Sequence, residues 1–143
     1  MKKPLISSGL ALMAFFCFAI SSSQTAAQPA NDQPAVTAAV APNYPPIARS
    51  AHISGDVIVE VKINSLGDVE NTKVLSGHPL LQAVSKEVAK KWKFVPSTEK
   101  HSRIAQLTFA FSRVESGKSV PQFTTTFLPP YRVEVVWNSN AYQ

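Results

Sequence analysis

The 143-residue sequence has one cysteine, at position 17. Beyond it the chain can form no disulfide, present no thiolate and build no cysteine zinc site. Histidine is nearly as scarce. His52, His78 and His101 stand far apart, with no i, i+4 pair, so a zinc site would need the fold to gather them. Acidic residues number 9 against 14 lysines and arginines. Asp56, Asp68 and Glu70 flank turns and read as solvated carboxylates. Ser76-Gly77-His78 is not a triad, because sequence neighbours rarely form one and no orienting acid is evident. The reading is not an enzyme, with no cofactor and no metal. No internal repeat is present.

The positive charge is also less than it looks. Without Lys2 and Lys3, 12 basic residues face 9 acidic ones. Lys86, Lys90, Lys91 and Lys93 cluster near one helix end, where a solvated basic face suits the helix dipole. No stacking aromatics interleave with them, which argues against nucleic acid as a partner.

What is present begins with an N-terminal segment in the form of a secretory signal. Lys2 and Lys3 precede a charge-free, mostly apolar run from Pro4 to Ile20, and Thr25-Ala26-Ala27 offers small residues for cleavage. Residues 1–27 are read as a signal peptide, which makes the chain periplasmic. A short inner-membrane anchor facing the periplasm is the alternative, since 17 residues sit at the bottom of the spanning range of about 17–25. Lipidation at Cys17 is disfavoured by Phe16, where a small residue is wanted. Residues 28–42, QPANDQPAVTAAVAP, lack a hydrophobic period and read as an Ala/Pro-rich linker reaching roughly 45 Å.

From Asn43 the pattern is that of a folded domain, 43–137, with 138–143 as a tail. Pro45 and Pro46 suit the first turn of a short helix over roughly 45–52. Val57, Val59, Val61 and Ile63 alternate with polar residues, a half-buried strand. Ser65-Leu66-Gly67-Asp68 supplies a hairpin turn, and Val69–Leu75 returns. Val69 and Val74 have opposite parity, which a bulge or a register break would accommodate. Pro79 opens a second helix. Leu81, Val84, Val88 and Trp92 share one face of it, and Pro96 stops it. Ala105, Leu107, Phe109 and Phe111 alternate as a third strand. Phe123–Phe127 is extended, and Tyr131, Val133, Val135 and Trp137 alternate as a further strand. The class is α+β: a small antiparallel sheet of three strands plus an extra C-terminal strand, with two helices. Trp92, Phe94, Phe109 and Phe111 are the heavy core members.

This ordered set resembles the C-terminal domain of the TonB family. The carriers are Tyr44-Pro45 with Ala48, Gly55 before the valine strand, Gly67 before Val69, and then Val74, Ser76 and Gly77. The Leu81-to-Trp92 helix, "WKFVP" at 92–96 and Phe109-Ala110-Phe111 complete it, over roughly 43–113. The resemblance implies a periplasmic protein of Gram-negative bacteria linked to transmembrane transport. Such a domain grips an extended peptide, the TonB box of an outer-membrane transporter, by adding it to the edge of the third strand. The partner-binding residues it implies are Asn43, Tyr44, Pro45, Arg103, Ala105, Leu107, Phe109 and Phe111. Another envelope protein, or a second copy joined through sheet edges, is the alternative partner. Tyr44 reads equally as a partner contact or as packing of the first helix. Three features depart from an energy transducer: no histidine in residues 1–24, a short linker, and the extra strand at 131–137. They leave open a soluble envelope adaptor with the same fold and no energy transfer.

Overall fold

The computed structural model describes residues 33–115 and 121–140. The expected signal segment lies outside the described residues.

Alternating valines build β2, Gly55–Ile63, whose Val57, Val59, Val61 and Ile63 are all fully buried. Asn64 ties the turn that follows. Its Oδ1 accepts from the Leu66 and Asp68 amides at 3.0 and 2.9 Å. Gly67 turns the chain at φ 88°, a region that glycine enters without steric cost. The return strand is β3, Val69–Ser76. Its register against β2 slips twice, once at each end, so both Val69 and Val74 reach the core side. The slip between Lys62 and Ile63 is the irregularity expected from the valine parity; the one between Ile58 and Val59 lies beyond Val74.

The first helix, α1, is Pro46–Ser50, with Pro45 at its N-cap. The second, α2, is Pro79–Ala89, capped by His78, whose Nδ1 accepts from the Leu80 amide at 3.2 Å. Leu81, Val88 and Ala89 are its buried apolar residues, and Val84 is partly buried. The helix is shorter than the Leu81-to-Trp92 spacing predicts. Its end tightens through Trp92 N–H to Ala89 O at 3.3 Å, and the chain then straightens into β4, Lys93–Phe94. Phe94 is held in that extended form by the Gly67 carbonyl, 2.8 Å from its amide.

Two features differ from the sequence-based expectation. The first is the presumed linker. Val36–Ala38 forms strand β1, antiparallel to β4. The Val95 amide donates to Ala35 O at 2.8 Å, and the Trp92 Nε1–H donates to Val40 O at 2.9 Å. Residues 33–42 therefore dock on the domain, because exposed backbone at Phe94–Val95 and the indole N–H both need acceptors there.

The second is the sheet. The third expected strand, β5, Arg103–Val114, pairs antiparallel with β2 along its length from Arg103 to Phe111. Beyond it come β6, Phe123–Leu128, and β7, Arg132–Asn138, in a hairpin. The spatial order is β3-β2-β5-β7-β6, and β7 runs parallel to β5. The class remains α+β, but the main sheet has five strands and is mixed. Val133 and Val135 are buried, as their alternation predicts. Alternation cannot specify strand direction, because inward parity is the same either way.

Trp92, Phe94, Phe109 and Phe111 are all buried. The Trp92 ring meets Phe109 edge-on at 6.0 Å and Phe127 at 5.9 Å between centroids. A Cβ at Gly67 would lie 2.0 Å from the Phe94 carbonyl oxygen, on a positive φ. Gly67→Ala is therefore expected to destabilise the fold by about 2–4 kcal/mol, combining backbone strain with a main-chain clash. A urea unfolding curve checks this; a change under about 0.5 kcal/mol would contradict the close approach.

Candidate functional site

A strand edge is a site only where its backbone groups have no partner. The Thr108 amide donates to Tyr131 O at 2.8 Å, so even-numbered residues of β5 face β7. Pairing with β7 covers Thr108 to Val114. Ile104 and Gln106 share Thr108's parity but lie before β7 begins. Among the described residues no strand pairs with them on that side, and their N–H and C=O groups point off the sheet. A groove of about 400 Å³ runs there, lined by Gln33, Ile104, Ala105, Gln106 and Tyr131. Ile104 is 62% exposed.

The residues singled out from the sequence fall into two groups. Arg103, Ala105 and Leu107 belong to the open half of β5. The Ala105 and Leu107 side chains are buried, and by parity their backbone faces β2. Arg103 donates from Nη2 to the Val95 carbonyl at 2.6 Å. Phe109 and Phe111 are flanked on both sides, opposite Val57 and Gly55 on β2 and Val133 and Val135 on β7. Their rings are core. Ile104 and Gln106 are the edge-facing residues that sequence reasoning missed. Exposed alternate positions carried the signal, but only the strand order tells which of the two parities faces outward.

Tyr44 lies at the other end of β5. Its ring is 5.3 Å from Phe111 and 6.2 Å from Trp137, both edge-on, and its hydroxyl donates to the Ile53 carbonyl. It is 4% exposed, so its main role is to pack the first helix onto the sheet. Asn43 and Tyr44 still border a cavity of about 330 Å³, whose far wall is Phe123, Thr125 and Val135. Pro45 lies between, as the cap of α1. The Tyr-Pro segment thus faces the β6–β7 hairpin, not the open half of β5.

The family pattern described as Gram-negative bacterial TonB protein C-terminal matches residues 40–112. The chain belongs to the TonB C-terminal family. The match takes in the Tyr-Pro segment, both helices and the strands from β2 to all but the end of β5, and it leaves β6 and β7 outside. Among solved structures, the chain is similar to the solution structure of the Pseudomonas aeruginosa TonB C-terminal domain. The two are 28% identical with a TM-score of 0.45, over 52% of this chain and 81% of that one. A comparison with curated proteins gave no match.

Burial raises the phenol pKa of Tyr44 above its ordinary 10.0, with Arg113 opposing. Burial likewise raises Tyr131, with Arg103 opposing. An unfolded tyrosine ionises first, so the stability these phenols confer is complete below about pH 10 and is lost as pH rises through their folded values. Unfolding free energy measured in urea from pH 8 to 11 should therefore fall above pH 10. Replacing both Tyr44 and Tyr131 by Phe should lower the plateau by about 1 kcal/mol per lost hydrogen bond and flatten that fall. An equally steep fall in the double variant would remove the two phenols as its source.

Proposed function

We propose that this chain is a periplasmic binding module linked to transport across the Gram-negative outer membrane. It grips an extended peptide of an outer-membrane transporter or another envelope protein by strand addition, and it catalyses no reaction. The observation that carries the reading is an unpaired backbone stretch on the third strand of a TonB C-terminal fold. Ile104 and Gln106 offer outward N–H and C=O groups beside an open groove. Backbone bonds there supply affinity, and the exposed Ile104 side chain and the groove supply selectivity. Arg103, Ala105 and Leu107 hold this segment against β2 and the core, so their part in binding is to fix the edge in place.

The short open length favours a second reading as well. With Thr108 to Val114 already paired to β7, only about half of the third strand is available. A soluble adaptor that makes a weaker, shorter contact and transmits no force fits that edge. Normal siderophore uptake in a deletion strain would support the adaptor, and loss of uptake would support the transducer.

Gln106→Pro removes the outward N–H while leaving the inward ladder to β2 intact, because an edge position tolerates proline. Titration with a synthetic TonB-box peptide should show at least about tenfold weaker binding to Gln106→Pro. Gln106→Thr, which keeps the N–H, should bind like the parent. Unchanged binding by the proline variant would refute addition at this edge.

A further inference from the structure

Among the described residues the sheet has two full outer margins, β3 and β6. The β3 margin is blunted in the usual way: it carries Glu70 and Lys73 and two register slips. The β6 margin is not. Its sequence, Phe-Thr-Thr-Thr-Phe-Leu, has no charge and no proline, pairs with β7 in unbroken register, and is exposed at all six positions. The Asn138 amide donates to Gln122 O at 2.9 Å, which turns even-numbered residues toward β7. Phe123, Thr125 and Phe127 therefore present their N–H and C=O groups outward, with nothing described beside them.

The cavity of about 330 Å³ adjoins this margin, and Phe123 and Thr125 belong to its wall. Among the described residues Arg49 is the only charged one lining it. Its guanidinium carbon lies 5.3 Å from the Phe123 ring centre and 5.8 Å from that of Trp137. Among the described residues Arg49 has no ion-pair partner, and its Nε is buried without a hydrogen bond. The Trp137 Nε1, on the ring that Arg49 overlies, is likewise buried and unbonded. Buried donors without acceptors are costly, and a planar guanidinium is matched best by a carboxylate.

We propose that the β6 margin takes an extended peptide segment carrying an aspartate or glutamate. Its backbone completes Phe123, Thr125 and Phe127, and its carboxylate is seated on Arg49. The β6 margin lies outside the family match, which does take in Arg49; the site is apart from the Ile104–Gln106 edge and goes beyond the function proposed above. A second copy of this chain is the rival occupant, since Phe-Thr-Thr-Thr-Phe reads the same in both directions and would pair about Thr125. The charge decides against it: β6 is uncharged, so a copy aligned edge to edge brings no acid to Arg49.

The test uses the ¹⁵N-labelled chain as recovered from cells and two synthetic peptides, acetyl-Val-Thr-Val-Asp-Val-Thr-Val-amide and its Asn counterpart. The Asp peptide should shift the Phe123, Thr125 and Phe127 amides saturably and bind about tenfold more tightly than the Asn peptide. Arg49→Met, which keeps the packing stem, should reduce the Asp peptide to the level of the Asn peptide and leave the latter unchanged. Thr125→Pro should abolish the β6 response to both. Equal affinity for the two peptides, or binding of neither, overturns the proposal. So do shifts confined to Ile104 and Gln106, which would leave the β5 reading standing alone. Movement of the β6 amides on dilution without peptide overturns it in favour of a second copy.

Discussion

The Trp92 indole gathers four separate parts of the chain. Its N–H donates to the Val40 carbonyl, and its ring meets Phe94, Phe109 and Phe127. Those partners belong to the N-terminal stretch, to β4, to the third strand and to the outermost strand. Truncating a buried tryptophan costs about 3–5 kcal/mol, and here the loss would be felt in all four at once. The position explains why α2 must end early. A helix continued through Phe94 would leave neither β4 nor its bond to Gly67.

The strand that Trp92 braces, β5, is also the strand whose outer edge is only partly covered. Its inward ladder to β2 is complete, while its outward ladder is divided at Thr108. Past that residue the backbone is satisfied by β7, and before it the backbone depends on water or a partner. The division gives the two ends of β5 different roles. Arg103 to Leu107 is paired on the β2 side only. Thr108 to Val114 is interior, with Tyr44 closing over Phe111 at its far end.

Much of this was legible in the residues. Period-two valines gave β2, Gly67 gave the turn, the parity conflict between Val69 and Val74 gave the slipped register, and Leu81 and Val88 marked the buried side of α2. Local pattern carries that information because each element buries a single face. The direction of β7 was not legible, since Tyr131, Val133 and Val135 point inward in either direction. Nor was the docking of 33–42. Its apolar residues are mostly alanines without periodicity; Val36, Val40 and Ala41 pack against the core, and the backbone carbonyls of Pro34, Ala35 and Val40, which any residue would supply, complete the docking. The same limit applies to the site. The alternation of β5 was legible, but which backbone groups remain unpaired is a property of strand order, not of side chains.

Strand order also decides whether the covered half of β5 can be uncovered. Freeing Thr108 to Val114 would require β7 to leave, exposing Tyr131, Val133 and Val135, each 8% exposed or less. Full burial of an apolar side chain is worth about 1.5–3 kcal/mol, so these three alone hold the strand by several kcal/mol before its backbone ladder is counted. A short peptide would only exchange one ladder for another there and could not recover that burial. The Tyr131 hydroxyl adds a bond to Pro34 O at 2.7 Å, which pins the start of β7 to the docked N-terminal stretch. The hairpin is therefore a fixed part of the domain and not a gate over the third strand. Any partner that adds to this sheet must do so where the backbone is already open.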